Sequence, residues 1–176
     1  MAGRTRPDVC GPAVPEAPYP VYLDGLVEHG FGRGGKKLNT PTANLPLSSQ
    51  HAVAESTRLA ETGIYYGFAQ LDVPNGESIY PPVDAKVYPM VMSFGYNPHF
   101  ANKDKTIEVH VMHGYAADFY GKGMRAIVLG YIRPELKYDS LEALIADIEK
   151  DKQVGIASLE RPAYTKYIQD PFFRQS

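Results

Sequence analysis

The chain has 176 residues, a length that suits one domain and allows a buried core without metal or disulfide staples. Its formal net charge of −2 argues against a nucleic-acid partner, because phosphate-backbone binding usually shows as a stripe or excess of basic residues. Cys10 is the only cysteine, so an intrachain disulfide is excluded and a cytoplasmic location is expected. No run approaches the ~18 apolar residues of a spanning helix, so no membrane partner is expected.

The order of predicted elements runs from strands to helices. Residues 1–18 are rich in Pro and Gly and predict a flexible N-terminal arm, followed by a single domain over 19–176. Strands are predicted in that domain from alternating apolar residues at 19–28 and 106–115, from a run rich in Ile, Tyr and Phe at 63–73, and from a near-continuous apolar run at 125–133. Asn75-Gly76 is typical of a hairpin turn. The predicted strands cover residues 19–28, 63–73, 86–96, 106–115 and 125–133.

After Pro134 the apolar residues recur at the spacing of a helix. Asp139 or Ser140 can cap the first amides, and Glu142 follows Asp139 at capping-box spacing. A second helix is expected within residues 158–176. Strands that follow one another without intervening helices favour a mainly β fold, with an antiparallel sheet curled into a barrel and helices packed at its end or side. The helical stripe consists of Leu141, Leu144, Ile145 and Ile148.

A glycine-rich basic loop extends from Gly30 to Lys36. It matches the dinucleotide-binding glycine pattern and nearly matches the Walker A pattern. Both patterns require a helix directly after the loop, which Pro41 and Pro46 block. Glycines still let backbone N–H groups approach an anion closely. The residues alone therefore leave two interpretations open, a phosphate-binding loop and a flexible hairpin loop with solvated lysines.

The segment after this loop offers two neutral oxygen donors. Side chains at i and i+2 of an extended chain point the same way, so Thr42 and Asn44 can present a hydroxyl and an amide oxygen toward one point. Mg²⁺ accepts few protein oxygens and keeps phosphates and water for its other positions. The alternative is that both residues make local turn hydrogen bonds beside the prolines.

Seven runs, taken in order between Tyr19 and Lys150, resemble the riboflavin kinase family. The resemblance implies a six-stranded antiparallel Greek-key β-barrel with a C-terminal α-helix packed against it. It also implies transfer of the γ-phosphoryl of ATP to the 5′-hydroxyl of riboflavin, giving FMN and ADP, with Mg²⁺ and with Zn²⁺ or Mn²⁺ as alternatives. The runs are Gly30–Lys36, Pro41–Asn44, Thr62–Gly67, Glu108–His113, Asp118–Gly121, Gly130–Glu135 and the helix that begins near Ser140.

The resemblance also assigns roles to residues. Glu108 matches the catalytic carboxylate, while Thr42 and Asn44 match the metal ligands. The nucleotide residues that it implies are Gly30, Gly32, Gly34, Lys36, Thr42, Val111, His113 and Tyr120. The flavin residues that it implies are Arg133, Leu136 and Tyr138.

Other interpretations stay open at this point. From the pattern alone, Glu108 can lie on a solvated face of a half-exposed strand together with Thr106 and His110. His110 and His113, at i and i+3 of a predicted strand, are expected on opposite faces, which disfavours a zinc site built from them. A non-catalytic flavin or nucleotide carrier and a barrel that stacks single-stranded nucleic acid are the rival functions. A monomer is expected, because the sequence shows no long unpaired apolar face.

Overall fold

A computed structural model describes residues 7–28, 42–45, 55, 58–59, 61–73, 80–96 and 105–174. For residues 42–45 it describes the backbone. The predicted glycine loop at residues 30–36 and the predicted hairpin turn at residues 75–76 lie outside these ranges.

Six antiparallel strands form one sheet in the order β1-β6-β3-β4-β5-β2. Strands β3, β4 and β5 follow one another, and β6 returns to lie beside β3, which is the Greek-key arrangement. The two edge strands, β1 and β2, approach within 8 Å between Cα atoms, so the sheet is curled toward a barrel. The predicted fold class is confirmed. The strands are β1 (Val21–Leu26), β2 (Thr42–Leu45), β3 (Gly63–Asp72), β4 (Val87–Tyr96), β5 (Lys105–Val111) and β6 (Gly123–Arg133).

The helical elements follow the sheet. Helix α1 (Leu141–Leu159) lies against β3 and β4. The second helix predicted in the C-terminal segment is only the short α2 (Pro162–Thr165), continued by a 3-10 turn at Lys166–Gln169, and another 3-10 turn covers Pro82–Ala85. None of the helices in the described ranges is both long and apolar enough to cross a bilayer.

The first turn of α1 is capped by Ser140, whose Oγ accepts a hydrogen bond from the backbone N of Ala143 at 3.1 Å. The sequence left Asp139 and Ser140 as alternatives and paired Asp139 with Glu142 as a capping box. That pairing is wrong, because the cap lies one residue later and Ala143 occupies the third helical position.

The sheet separates two apolar clusters. One fills the barrel interior and includes Tyr65, Met92 and Val109. The other lies between the outer face of the sheet and α1, and includes Tyr66 and Val154. Because successive strand residues point to opposite faces, neighbours such as Tyr65 and Tyr66 belong to different clusters. The outer face is therefore covered by the helix near its centre, and the register-paired row described below lies on this same face.

Gly130 on β6 gives Tyr66 the room it needs. A Cβ atom at position 130 would lie 2.2 Å from Cζ of Tyr66. The tyrosine cannot retreat easily, since it is fully buried and its hydroxyl donates to the carbonyl oxygen of Cys10 at 2.7 Å. We expect Gly130→Ala to lower the free energy of unfolding by about 1–3 kcal/mol, the usual cost of overpacking. Gly114→Ala, where no heavy atom lies within 4 Å of the added Cβ, is the matched control in the same denaturant titration. Equal stability of the two variants would contradict this packing account.

Part of the predicted N-terminal arm is held against the C-terminal helices. The guanidinium of Arg161 donates to the carbonyl oxygens of Cys10, Gly11 and Pro12 at 2.7–2.8 Å. The hydroxyl of Tyr164 also donates to the carbonyl oxygen of Pro12, at 2.7 Å. Residues 10–12 are thus fixed at several points, a feature that the Pro- and Gly-rich composition did not indicate. The domain boundary at residue 19 stays a prediction.

Candidate active site

A row of register-paired residues crosses five strands on the outer face of the sheet. Asn44 pairs with Glu108, Glu108 with Ser93, Ser93 with Ile64, and Ile64 with Arg133. Directly paired residues of antiparallel strands share a face, so the five positions form one continuous line. We call this line the outer row. It brings a position predicted to bind metal, the predicted catalytic carboxylate and a predicted flavin residue onto one surface.

Glu108 lies at the β5 position of the outer row and is partly buried. Burial raises the pKa of its carboxyl group, and the negative charge of Glu135 raises it further. A carboxylate with a raised pKa binds a proton more strongly than an ordinary one, which suits a general base. The alternative of a solvated strand face does not hold for Glu108 or for His110, which is 8% exposed.

Glu135 is a second carboxylate at this point. Oγ of Ser93 donates to Oε1 of Glu135 at 3.4 Å. The absence of a side chain at Gly95 leaves room for the carboxylate, since a Cβ there would lie 2.3 Å from Oε1 of Glu135. Glu135 is exposed at the surface, but partial burial of its carboxyl group still raises its pKa. The site therefore contains a pair of acidic groups and a hydroxyl, and these groups can accept hydrogen bonds from a polyhydroxylated substrate.

Arg133 ends the outer row and ties β6 to α1. Nε and Nη2 donate to the carboxylate of Asp151 at 2.9 and 2.7 Å, and both side chains are buried, with 8% and 2% of their surface exposed. Burial alone would lower the pKa of Arg133, but the bonds to Asp151 outweigh it and raise the pKa. The bidentate ion pair fixes helix α1 relative to β6.

The two other predicted flavin residues follow Arg133 in the connection to α1. The hydroxyl of Tyr138 donates to Oδ2 of Asp147 at 2.6 Å, and the Tyr138 ring centroid lies 5.9 Å from Cζ of Arg133. Leu136 is partly buried in the same connection. The structure thus brings Arg133 and Tyr138 together, and the assignment of all three residues to the flavin stays a prediction.

His113 lies beyond the end of β5, where it is held from several sides. Its Nε2 lies 2.7 Å from Oδ1 of Asp84, which is 1% exposed. The other carboxylate oxygen of Asp84 accepts from the backbone N of Ala116 at 3.1 Å. The imidazole stacks on Tyr88 with 4.0 Å between ring centroids. A ring held in this way has a fixed orientation, as a nucleotide contact requires, although that role stays a prediction.

The remaining predicted nucleotide residues divide into three groups. Val111 is buried in the barrel interior at the end of β5. Tyr120 is 41% exposed, with its ring 6.3 Å from that of Phe119. Gly30, Gly32, Gly34 and Lys36 lie outside the described residues.

His110 occupies the next position along the same face of β5 as Glu108, paired with Thr42 on β2. Burial lowers the pKa of His110 to about 4, with a contribution from the nearby charge of Lys152. Its ring is therefore neutral at pH 7. Nδ1 is buried and has no hydrogen-bond partner in the part of the chain that the structure describes. Such a group ordinarily costs about 1–3 kcal/mol of stability.

Acidification is expected to destabilise the fold through His110. The unfolded chain binds a proton at this residue below about pH 6.5, whereas the folded protein does so only near pH 4. The stabilisation is therefore complete above about pH 6.5 and decreases as the pH falls toward 4, by about 3 kcal/mol in all. We expect His110→Phe to lose less stability than wild type between about pH 7 and pH 5. The raised pKa values of Glu108 and Glu135 act in the opposite direction but are common to both proteins. Parallel pH profiles of the free energy of unfolding would contradict this expectation.

The donor chemistry at β2 fits Mg²⁺. Thr42 and Asn44 occupy positions two residues apart on β2, and therefore on one face, beside His110 and Glu108. Mg²⁺ at phosphate-transfer sites is held by one or two protein oxygens together with phosphates and water. No group of three or more His, Cys, Asp or Glu side chains able to hold a metal occurs within the described ranges.

Several residues of this site carried no recognised signal in the sequence. Ser93 and Gly95 on β4 lie near Glu135, which follows β6, only in the folded barrel, and Asp84 meets His113 across 29 residues of chain. Asp151 could have been suspected, because it is a charged residue at a buried position of α1. A buried charge needs a partner.

Known proteins resemble this chain in sequence and in fold. The riboflavin kinase (Flavokinase) family profile matches residues 17–159. The chain is 44% identical over 164 residues to a riboflavin kinase of Pyricularia oryzae, covering 90% of this chain and 81% of the relative. It is 45% identical over 179 residues to a riboflavin kinase of Scheffersomyces stipitis, covering 92% and 97%. The structure resembles the crystal structure of riboflavin kinase from Trypanosoma brucei, with a TM-score of 0.64, 28% identity and 88% coverage of both chains. The chain belongs to the riboflavin kinase family.

Proposed function

We infer that this protein transfers the γ-phosphoryl group of ATP to the 5′-hydroxyl of riboflavin, giving FMN and ADP. Family membership supports the substrates. The structural observation that carries the proposal is Glu108, a partly buried carboxylate of raised pKa paired in register with Asn44. A base next to a position suited to a metal ligand is the arrangement that phosphoryl transfer to an alcohol requires.

In the proposed reaction the 5′-oxygen of riboflavin forms a bond to the γ-phosphorus. The bond between that phosphorus and the β–γ bridging oxygen breaks, and ADP leaves with the electron pair. Glu108 orients the hydroxyl group and accepts its proton as the new bond forms, and later returns the proton to water. When bound at Thr42 and Asn44, Mg²⁺ would offset charge on the phosphate oxygens. The identity of the metal is part of the proposal.

The two sides of Glu108 are proposed to receive the two substrates. Thr42 and Asn44 occupy positions on β2, and we assign them, together with the glycine loop that precedes them in the sequence, to the phosphates. Arg133, Leu136 and Tyr138 lie beyond Ser93 and Glu135 on the other side, and we assign them to the flavin. His113, Val111 and Tyr120 are assigned to the nucleotide. This division places the hydroxyl group to be phosphorylated between the flavin and the phosphate chain, at Glu108.

A non-catalytic flavin carrier is the rival function. A carrier has no need of a base whose pKa is raised by burial beside a second carboxylate, so the pair Glu108–Glu135 favours the kinase.

We also propose that the protein is a cytoplasmic monomer, which its single, buried cysteine suits. Gel filtration with light scattering would test the monomer.

Riboflavin-dependent release of ADP tests the proposed function. Lumiflavin, which has the same ring system but no ribityl chain, is the matched control. We expect ADP release with riboflavin, MgATP and the wild-type protein, and none above background with lumiflavin. Binding of riboflavin without ADP release, with Mg²⁺, Zn²⁺ and Mn²⁺ each supplied, would favour the carrier instead.

A further inference from the structure

Asp84 and His113 form a buried pair of an acid and an imidazole that has no task in the reaction described above. Asp84 is 1% exposed, and its Oδ1 lies 2.7 Å from Nε2 of His113. The other carboxylate oxygen, Oδ2, accepts a hydrogen bond from the backbone N–H of Ala116 at 3.1 Å. Burial of a carboxylate costs free energy unless the group is paired and hydrogen-bonded, and here both oxygens have a partner.

The orientation of the imidazole ring follows from its contacts. A carboxylate accepts hydrogen bonds and does not donate them, so Nε2 of His113 carries the hydrogen and donates it to Asp84. In the neutral ring the other nitrogen, Nδ1, is then an acceptor. Tyr88 stacks on the ring with 4.0 Å between centroids, and the ring of Tyr115 lies nearly perpendicular to it at 4.7 Å. The imidazole therefore cannot turn over without losing its bond to Asp84.

Nδ1 of His113 is available to a ligand. The His113 side chain keeps 16% of its surface exposed. Nδ1 makes no hydrogen bond within the described ranges, and it is not one of the unpaired side-chain atoms that are fully buried there. An acceptor held in a fixed direction at the surface selects a ligand group that donates a hydrogen bond.

Strand β5 separates His113 from the reacting groups. The strand continues from Glu108 to Val111, a rise of about 10 Å at the usual spacing of an extended chain, and His113 lies beyond its end. In the proposed reaction the γ-phosphoryl group of ATP lies at Glu108. A contact between His113 and ATP is therefore made by the opposite end of the nucleotide, where the base is.

We propose that Asp84 is a positioning residue that fixes the tautomer of His113, so that Nδ1 accepts a hydrogen bond from the amino group of adenine and the protein selects adenine nucleotides. This inference rests on the proposed function for the position of ATP. Guanine presents a carbonyl oxygen where adenine presents its amino group, and hypoxanthine does the same. Such a base would place one acceptor against another, which leaves both without a hydrogen bond.

The bond from Ala116 determines how an amide would lie at position 84. In Asp84→Asn the amide oxygen has to accept from the backbone N–H of Ala116, so the NH₂ group faces Nε2 of His113. Nε2 must then accept, and the hydrogen of the ring moves to Nδ1. The same replacement in the Ser-His-Asp triad of proteases keeps the geometry and produces the wrong tautomer. The variant has a donor where the wild type has an acceptor, so its preference between the bases should reverse.

Calorimetric titration with MgADP and with MgIDP, whose base is hypoxanthine, measures this preference without turnover. We expect the wild type to bind ADP about 5–100-fold more tightly than IDP, the usual effect of leaving polar groups unpaired. Asp84→Asn should instead bind IDP more tightly than ADP. Asp139→Asn, the same substitution at an exposed position, is the matched control and should keep the preference of the wild type. The ratio of the affinities for ADP and 2′-deoxy-ADP should be equal in all three proteins, because the ribose does not meet Nδ1.

A merely structural role for Asp84 would weaken ADP and IDP equally and leave their ratio unchanged, which would overturn the proposal. A change confined to 2′-deoxy-ADP would overturn it as well, since His113 would then face the ribose. If Asp84→Asn does not fold, nitrogen NMR of the histidines in the wild type carries the test. The Nδ1 signal of His113, identified by its absence in His113→Gln, should be that of an unprotonated nitrogen and should shift with ADP but not with IDP. An Nδ1 signal that responds equally to both nucleotides would contradict the inference.

These titrations contain no riboflavin, so their outcome is separate from the test of the proposed function by ADP release. A wild type that releases ADP with riboflavin but shows no preference for ADP over IDP would overturn this inference alone. A wild type that binds neither nucleotide would overturn the proposed function together with it.

Discussion

Replacing Glu108 with glutamine is expected to lower the turnover of riboflavin by about 10²–10⁴-fold, the usual contribution of a general base. The amide keeps the size of the side chain but cannot accept the proton of the 5′-hydroxyl. The fold should be unaffected and even slightly more stable, because burial and the charge of Glu135 already disfavour the ionised carboxylate. A loss of activity through unfolding is thereby separated from a loss of the base.

Turnover and unfolding are measured on the same preparations of this variant. Glu160→Gln, the same substitution at an exposed position, is the matched control and should retain wild-type turnover. In the wild type, kcat/KM should increase with pH through the raised pKa of Glu108, since the base acts only when ionised. Near-normal turnover of Glu108→Gln would remove this residue from the mechanism.

Replacing Asp151 with alanine is expected to lower the free energy of unfolding by about 3–5 kcal/mol, because it leaves a buried guanidinium without its partner. Arg133 is 8% exposed and donates three hydrogen bonds to this carboxylate. Asp147, whose Oδ2 lies 4.0 Å from Nη2 of Arg133, is too distant to replace them. For a chain of this length we expect the midpoint of thermal unfolding to fall by about 6–20 °C.

The double variant Arg133→Met with Asp151→Leu is the control for this prediction. Removing both charges together should restore most of the stability, since apolar replacements of a buried ion pair are often neutral. The double variant then separates stability from recognition. If Arg133 contacts the flavin as proposed, the double variant is folded but binds riboflavin more weakly than wild type. A double variant as unstable as Asp151→Ala would show that the ion pair itself is not the source of the effect.

Two of the predicted strands match the structure closely. Predicted strands over 63–73 and 86–96 correspond to β3 and β4 within one residue at each end. The prediction for β5 was wrong at its end, since the strand stops at Val111 instead of residue 115. The backbone N–H of Met112 donates one more hydrogen bond, to the carbonyl oxygen of Pro89. Proline has no N–H, so the strand ladder cannot continue there. The contacts of His113 with Asp84 and Tyr88 then direct the chain away.

The candidate site was predictable only in part, for a physical reason. The motif residues Asn44, Glu108 and Arg133 come together because strand register aligns them. Their supporting partners, such as Glu135 against Ser93, are 42 residues apart in the chain. The local periodicity of the sequence does not predict such contacts, because they depend on how the barrel closes and where α1 lies. The same limit applies to the arm, whose attachment depends on the distant side chain of Arg161.

The most direct test of the proposed phosphoryl transfer follows the phosphorus itself. ATP carrying a radioactive γ-phosphorus is incubated with riboflavin, Mg²⁺ and the purified protein, and the products are separated by chromatography. We predict that the label appears in FMN in proportion to the ADP formed. Label that appears only in inorganic phosphate, or that stays in ATP while riboflavin remains unmodified, would contradict the proposed function.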